Sequence, residues 1–246
     1  MSSPLQTWAA TEIIHSLNDA DSGHPVVQGI LRYLESGVDF DGHTWSRTIP
    51  TNNDFPHAEW WSYEPSDESV ITYNPTGALA GFALQFSKAG SPLQQEAVRI
   101  SREALETLLS SDHVEDHELS CFHRLVQCVQ KQGADIGVDG RRAEEFVRSQ
   151  ANAAITRDTS KWATEYVCRP SRFIRSREDQ LFAENEELIR YECKLLRETQ
   201  LEDGSWPVTW HWSSYPDQWP IAQEWWKSIV VIENIQFLQA MGELPI

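Results

Sequence analysis

Basic residues are scarce. The 246-residue chain carries 20 Lys and Arg against 37 Asp and Glu, for a formal charge of −17. A surface so acidic repels phosphate backbones and anionic membranes, so no nucleic-acid partner is expected. Long apolar runs are lacking as well. No stretch approaches the roughly 20 apolar residues of a bilayer span, so no membrane span is expected. The first residues, Met1-Ser-Ser-Pro-Leu-Gln-Thr-Trp8, have neither the basic start nor the apolar core of a secretion signal. A cytoplasmic location is the expectation that follows. Cysteine is limited to Cys121, Cys128, Cys168 and Cys193, which outside a secretory context reads as reduced, buried thiols. Gly-x-Gly-x-x-Gly, phosphate-loop, Gly-x-Ser-x-Gly and Cys-x-x-Cys motifs are all missing, so nucleotide-dependent and serine-hydrolase chemistry lose their usual support. No cofactor is expected.

What the chain does have is a globular balance, 40% hydrophobic and 23% charged, and an excess of tryptophan. Six of its eleven Trp fall between Trp206 and Trp226. Such a cluster serves either stacking between helices or an aromatic-lined cavity for an apolar, cationic or sugar ligand. Apolar residues recur at helical spacing in Pro25–Leu34, in the run Leu93, Ala97, Ile100, Ala104 and Leu108, and in Leu119, Phe122, Leu125, Val126 and Val129. Further helices are expected near 141–155, 183–199 and 222–240, with Asn74 as the N-cap of another that opens at Pro75. Strand-like alternation is rare. An all-α chain of antiparallel helical hairpins follows, with long connections at about 38–73 and 203–220 that are candidates for ligand-facing loops.

One pattern occurs twice. Ile30-Leu-Arg-Tyr-Leu is followed by Asp41-Gly-His-Thr-Trp45 and Pro56-His-Ala-Glu-Trp-Trp61; Ile189-Arg-Tyr is followed by Asp203-Gly-Ser-Trp206 and Pro220-Ile-Ala-Gln-Glu-Trp-Trp226. The two Asp are 162 residues apart and the closing Trp 165 apart, as duplication of a helical unit would leave them. The copies span approximately 24–61 and 183–226. The second, Gln200-Leu-Glu-Asp203-Gly204-Ser-Trp206, resembles the Gln-x-x-Asp-Gly-Ser-Trp repeat of squalene–hopene and oxidosqualene cyclases, within the terpenoid cyclase and protein prenyltransferase superfamily. The first departs from it, with Val38 in place of Gln and one extra residue before Trp45.

That resemblance implies a single α/α-toroid-like domain, a partial barrel of hairpins, in which Gln200, Asp203 and Trp206 tie helices together outside the active cavity. It also implies an enzyme of the cyclase or isomerase type. Neither Asp19-Ala-Asp21-Ser nor Asp39-Phe-Asp41-Gly completes an Asp-x-Asp-Asp acid motif. Asp112-His-Val-Glu-Asp116 is a poor Asp-Asp-x-x-Asp, so diphosphate ionisation is not supported. The expected function is ring closure or isomerisation of a hydrophobic terpenoid or polyene in an aromatic-lined cavity, by holding a reactive conformer. The predicted helices fall short of a full toroid, leaving a side that a second copy would cover in a homodimer.

Candidate catalytic groups are His57, Tyr73, Asn74 and Asp54, where imidazole, phenol, amide and carboxylate stand beside aromatic faces. His57 has no counterpart in the second copy, whereas Glu59 is matched by Glu224; the unshared residue is the better candidate for chemistry and the shared one for scaffold. Trp60, Trp61, Trp225 and Trp226 would shape the pocket. Arg169 and Arg172 form a basic spot, and Arg169 would anchor a substrate carboxylate. His113, His117 and Cys121 fall at i, i+4 and i+8, but packing and capping account for them and no metal is expected. Two other classes stay open: a carbohydrate-active toroid using Asp54 and Asp217 across a cleft, and a noncatalytic binding or assembly protein.

Overall fold

The computed structural model describes residues 2–17, 20–67 and 72–244; Asp19 and positions 68–71 of the first long connection lie outside these. Among the described residues there are eight α-helices and no strand beyond one antiparallel bridge between Phe40 and Trp45. The all-α expectation holds. No helix is long and apolar enough to cross a membrane among the described residues. The chain divides into two compact units, Met1–Asp54 with Trp61–Gln150, and Phe55–Trp60 with Ala151–Ile246.

The first unit holds α1 (Pro4–Ser16), α2 (Pro25–Glu35), α3 (Thr76–Phe86), α4 (Pro92–Ser110), α5 (Asp116–Gln132) and most of α6 (Gly140–Ala154). Its hub is α3, in contact with α1, α2, α4 and α5. Every residue of α3 except Gln85 is buried, which requires a helix apolar on all sides and small on at least one. Gly77 and Gly81 supply the small face. A Cβ at Gly77 would meet the Cys121 carbonyl oxygen at 3.2 Å, so glycine there lets α3 approach the backbone of α5. Around the hub, α4 buries Leu93, Ala97, Ile100, Ala104 and Leu108, and α5 buries Leu119, Phe122, Leu125, Val126 and Val129. These are the predicted faces. Ser91 caps α4 by accepting from the Gln94 amide at 3.2 Å, and Glu115 caps α5 by accepting from the His117 and Glu118 amides.

The second unit holds α7 (Phe182–Thr199), α8 (Trp219–Ala240) and long connections before each. On α8 the residues Trp219, Ala222, Asn234, Phe237 and Leu238 are buried. The opposite side leaves Ile221, Trp225, Ile229 and Ile232 exposed. A tryptophan-rich core of Ala58, Trp212, Trp219 and Ala222, with Val208, Trp210 and Trp226 against it, anchors the start of this helix. Glu59 fastens the same region: its carboxylate accepts from the Ser213 hydroxyl and from the Ser214 amide. Those bonds hold its pKa down at about 2, the Ser213 hydroxyl foremost. A scaffold role for Glu59 accords with its counterpart in the second copy.

Candidate functional site

The two Asp-Gly turns are built alike. In the first, Asp41 accepts from the His43 and Thr44 amides at 2.7 Å; in the second, Asp203 accepts from the Ser205 amide at 2.9 Å and the Ser205 hydroxyl at 2.6 Å. Gly42 and Gly204 have φ of 102° and 83°, which only glycine adopts without strain. Trp45 and Trp206 are both buried. They differ in how the indole is used, for Trp206 Nε1 donates to the Leu196 carbonyl at 2.7 Å whereas Trp45 Nε1 has no hydrogen-bond partner. Gln200 donates to the Gly204 carbonyl at 3.0 Å, closing the second turn on itself. These are contacts of a helix junction.

Four of the predicted site residues belong to the first unit. Asp54 is exposed at the end of the 3-10 turn Pro50–Asp54, and the Trp61 carbonyl accepts from the Asn52 side chain at 2.9 Å. Tyr73 rests against Phe122 at 5.5 Å, and its backbone amide donates to Glu118 at 2.7 Å. Burial pushes its phenol above the ordinary value, away from acid–base work near neutrality. Asn74 does not cap α3. That helix starts after Pro75 with no side-chain cap, and Asn74 Oδ1 instead accepts from the Cys121 thiol at 3.7 Å.

The same thiol bears on the predicted metal stripe. His113 precedes the first turn of α5, so the three residues do not share one helix. Cys121 is buried and its thiol pKa is raised by that burial, disfavouring a thiolate ligand. His117 is occupied with Glu115 and, at 3.2 Å, Asp116. The four cysteines are buried and none is joined in a disulfide, as expected.

The remaining candidates belong to the second unit. His57 Nδ1 lies 2.5 Å from the Phe55 carbonyl and its ring is tilted on Tyr215 at 5.6 Å. Trp60 is half-exposed, and Trp225, at 72% exposure, is the most open large hydrophobic side chain among the described residues. Trp226 stacks edge-on to Trp210 at 5.5 Å, and Trp210 in turn meets Tyr166 at 5.3 Å. Arg172 closes this row, with its guanidinium 2.8 Å from the Tyr166 hydroxyl. Asp217 is exposed in the connection before α8.

Arg169 is different. It lines a cavity of about 80 Å³ between α7 and α8, with Trp162, Trp206, Trp210, Leu196, Thr199, Thr209, Val230 and Asn234 among its walls. Trp162 spends its Nε1 on the Thr156 carbonyl at 2.9 Å and Trp206 on the Leu196 carbonyl, so both present carbon surface rather than a free donor. Behind Arg169 stands Glu192, fully buried, which accepts from the Ser171 amide at 3.0 Å and hydroxyl at 2.6 Å and pairs with Arg169 Nε at 3.3 Å. Burial pushes the Glu192 carboxyl up, with Arg169 and Ser171 pulling against it. Asn234 is 4% exposed and its Nδ2 has no hydrogen-bond partner. A buried, unpaired amide donor costs about 1–3 kcal/mol unless something else satisfies it.

Of the predicted residues in the second unit, not all reach the cavity. Arg169 is in the cavity and Trp226 supports a wall of it, whereas Trp225 and His57 do not line it. Sequence reasoning missed Trp162, Glu192 and Asn234, and treated Trp206 as structural only. Asn234 had a legible signal: it falls on the stripe Val230, Asn234, Phe237, Met241, where a helix otherwise places apolar side chains. Compared with family models, curated proteins and solved structures, the chain matches none.

Proposed function

We propose that the second unit binds a small, largely apolar molecule by one hydrogen-bond-accepting head group, in the tryptophan-walled cavity between α7 and α8. The observation that carries this reading is Asn234, buried at a cavity wall with an unpaired amide donor amid Trp and aliphatic carbon. Orphaned buried donors are uncommon because they are costly, and an acceptor on a ligand removes the cost. The volume sets the scale. A 150 Å³ cavity admits benzene, so about 80 Å³ takes a head group of a few heavy atoms, with the rest of the ligand reaching through the mouth.

The catalytic form of the proposal is ring closure or isomerisation by positioning, on a toroid-like scaffold of helical hairpins related to the terpenoid cyclases. The local contacts of Gln200 and Asp203 in the turn that ends α7 support a structural role for the motif, whereas Trp206 departs from the family pattern by also walling the cavity. Chemistry of this kind asks for a shaped, water-poor wall more than for an acid–base pair.

Calorimetric titration with the neutral probe 3-methylbutanamide tests the binding. Saturable binding is expected, weakened about tenfold in Asn234→Leu, as loss of a buried hydrogen bond implies. An Asn234→Leu variant that is folded and binds as the wild type does would end the proposal. Cyclisation and isomerisation conserve mass, so the catalytic form predicts a product isobaric with its ligand, formed by the wild type and lost in Trp210→Ala.

A further inference from the structure

Two polar side chains at the cavity wall carry spare donors. Arg169 commits only its Nε edge to Glu192, and its two Nη groups have no hydrogen-bond partner among the described residues. Asn234 adds an unpaired Nδ2 donor that is itself buried. The indoles of Trp162 and Trp206 have given their N–H groups to backbone carbonyls, so they offer faces and no acceptors. A wall with spare donors and carbon surface selects a ligand group that only accepts, and a guanidinium edge of two parallel N–H groups matches a planar pair of oxygens.

Charge narrows the class. Glu192 lies directly behind Arg169, fully buried, so the guanidinium already answers one carboxyl group. A dianion such as phosphate would face that second acidic group in a low-dielectric setting, whereas a single negative charge asks less of the site. On the reading of a ligand cavity given above, we propose that the head group taken there is one carboxylate borne on a short apolar chain, gripped by the Nη edge of Arg169 and the amide of Asn234. Glu192 is the positioning residue. It holds Arg169 by Nε and leaves the far edge turned to the ligand.

Three probes in calorimetric titrations at pH 7 test this: 3-methylbutanoate, its neutral isostere 3-methylbutanamide, and inorganic phosphate. The wild type is expected to prefer 3-methylbutanoate over the amide by about tenfold or more, the margin of a charge-assisted over a neutral hydrogen bond. Arg169→Met paired with Glu192→Gln, which avoids stranding a buried carboxylate, should erase that preference while leaving the amide bound. Arg169→Lys keeps the charge but loses the fork and should fall between. Glu192→Gln alone should strengthen 3-methylbutanoate binding, because the acidic group that Arg169 already answers is gone; a purely structural Glu192 would leave it unchanged or weaken it.

Equal binding of the two isosteres, or tighter binding of phosphate, overturns the carboxylate assignment and leaves the cavity reading standing. A wild type that binds neither isostere overturns both. Unchanged preference in the folded double variant would place the carboxylate away from Arg169 and also overturns the proposal.

Discussion

Arg169 Nε meets Glu192 Oε1 at 3.3 Å, and the two partners differ sharply in exposure: the Arg side chain is 27% accessible and the Glu side chain 0%. Solvent can reach the cation but not the anion. The pair therefore serves Glu192 more than Arg169, since an ionised carboxyl without water needs a nearby positive charge and donors on its remaining lone pairs. Ser171 provides two such donors from the 3-10 turn Pro170–Arg172, which fixes that turn against α7.

This arrangement makes the second unit sensitive to pH in a stated direction. Burial raises the Glu192 carboxyl above its ordinary 4.5, so between that value and its folded one the native state holds a proton that the unfolded chain has released. Its contribution is complete below pH 4.5 and is lost as pH rises through the folded value. Urea unfolding from pH 4 upward should show the wild type losing ground to Glu192→Gln over that window. Parallel curves for the two proteins would refute the shift.

Thr76 links the first Asp-Gly turn to the hub helix. Its hydroxyl oxygen accepts from the Trp45 amide at 2.9 Å and its proton goes to the Trp45 carbonyl at 3.3 Å, all of it buried. Valine has the same shape and neither function. Thr76→Val should cost about 1–3 kcal/mol through the two backbone groups left unpaired, with little change in helix content. Thermal unfolding followed by circular dichroism reads this, and an unaltered midpoint would mean that water replaces the hydroxyl.

Much of this was legible in the sequence, and the misses share a cause. α2, α4 and α5 could be read because each has one apolar face, and apolar spacing reports a helix with a wet side and a dry side. α1 lacks that contrast: Ile13 is exposed while Thr7 and Thr11 are buried, and only Ser3 and Pro4 mark its start. Asn74-Pro75 was read as a capping pair, but the Cys121 thiol, 47 residues away, claims the Asn side chain, which no local pattern reveals. The cavity was out of reach for the same reason. Motif spacing pointed to loops rich in His and Trp, whereas the cavity is assembled from Trp162, Arg169, Trp206 and Asn234, whose proximity is a tertiary fact.

The hub tolerates no bulk on the face turned to α5. A valine at Gly77 would put carbon beyond a Cβ that already lies 3.2 Å from the Cys121 carbonyl oxygen and 3.3 Å from its carbon. Backbone cannot swing aside as a side chain can. Alanine would recover up to about 1 kcal/mol of helix propensity against this crowding, but valine adds two methyls without that gain. Gly77→Val should therefore lose about 1–3 kcal/mol, the usual range for overpacking. Hydrogen exchange at α3 and α5 amides should rise together in the variant; protection equal to the wild type would show that the helices can part at no expense.

His15 gives the first unit a pH response of the opposite sign. Its ring lies among Phe82 at 5.7 Å and Phe86 at 6.0 Å, and its Nε2 is buried without a partner. Desolvation lowers its pKa to about 4 from 6.5, with Arg124 and Lys131 adding to the fall and Glu12 opposing it. Below pH 6.5 the unfolded chain takes up a proton that the folded imidazole refuses, so stability is complete above 6.5 and drains as pH falls towards 4. The full loss is on the order of 3 kcal/mol at most, from about 1.4 kcal/mol per pKa unit. Because Glu192 acts in the other unit with the reverse slope, a global unfolding curve would blend the two. Exchange at the amides of α3 separates them: protection there should fall between pH 6.5 and 4 in the wild type and stay level in His15→Leu. An equal fall in both would assign the acid sensitivity of the first unit to its carboxylates, with the Arg124–Glu12 pair at 2.7 Å the next to test.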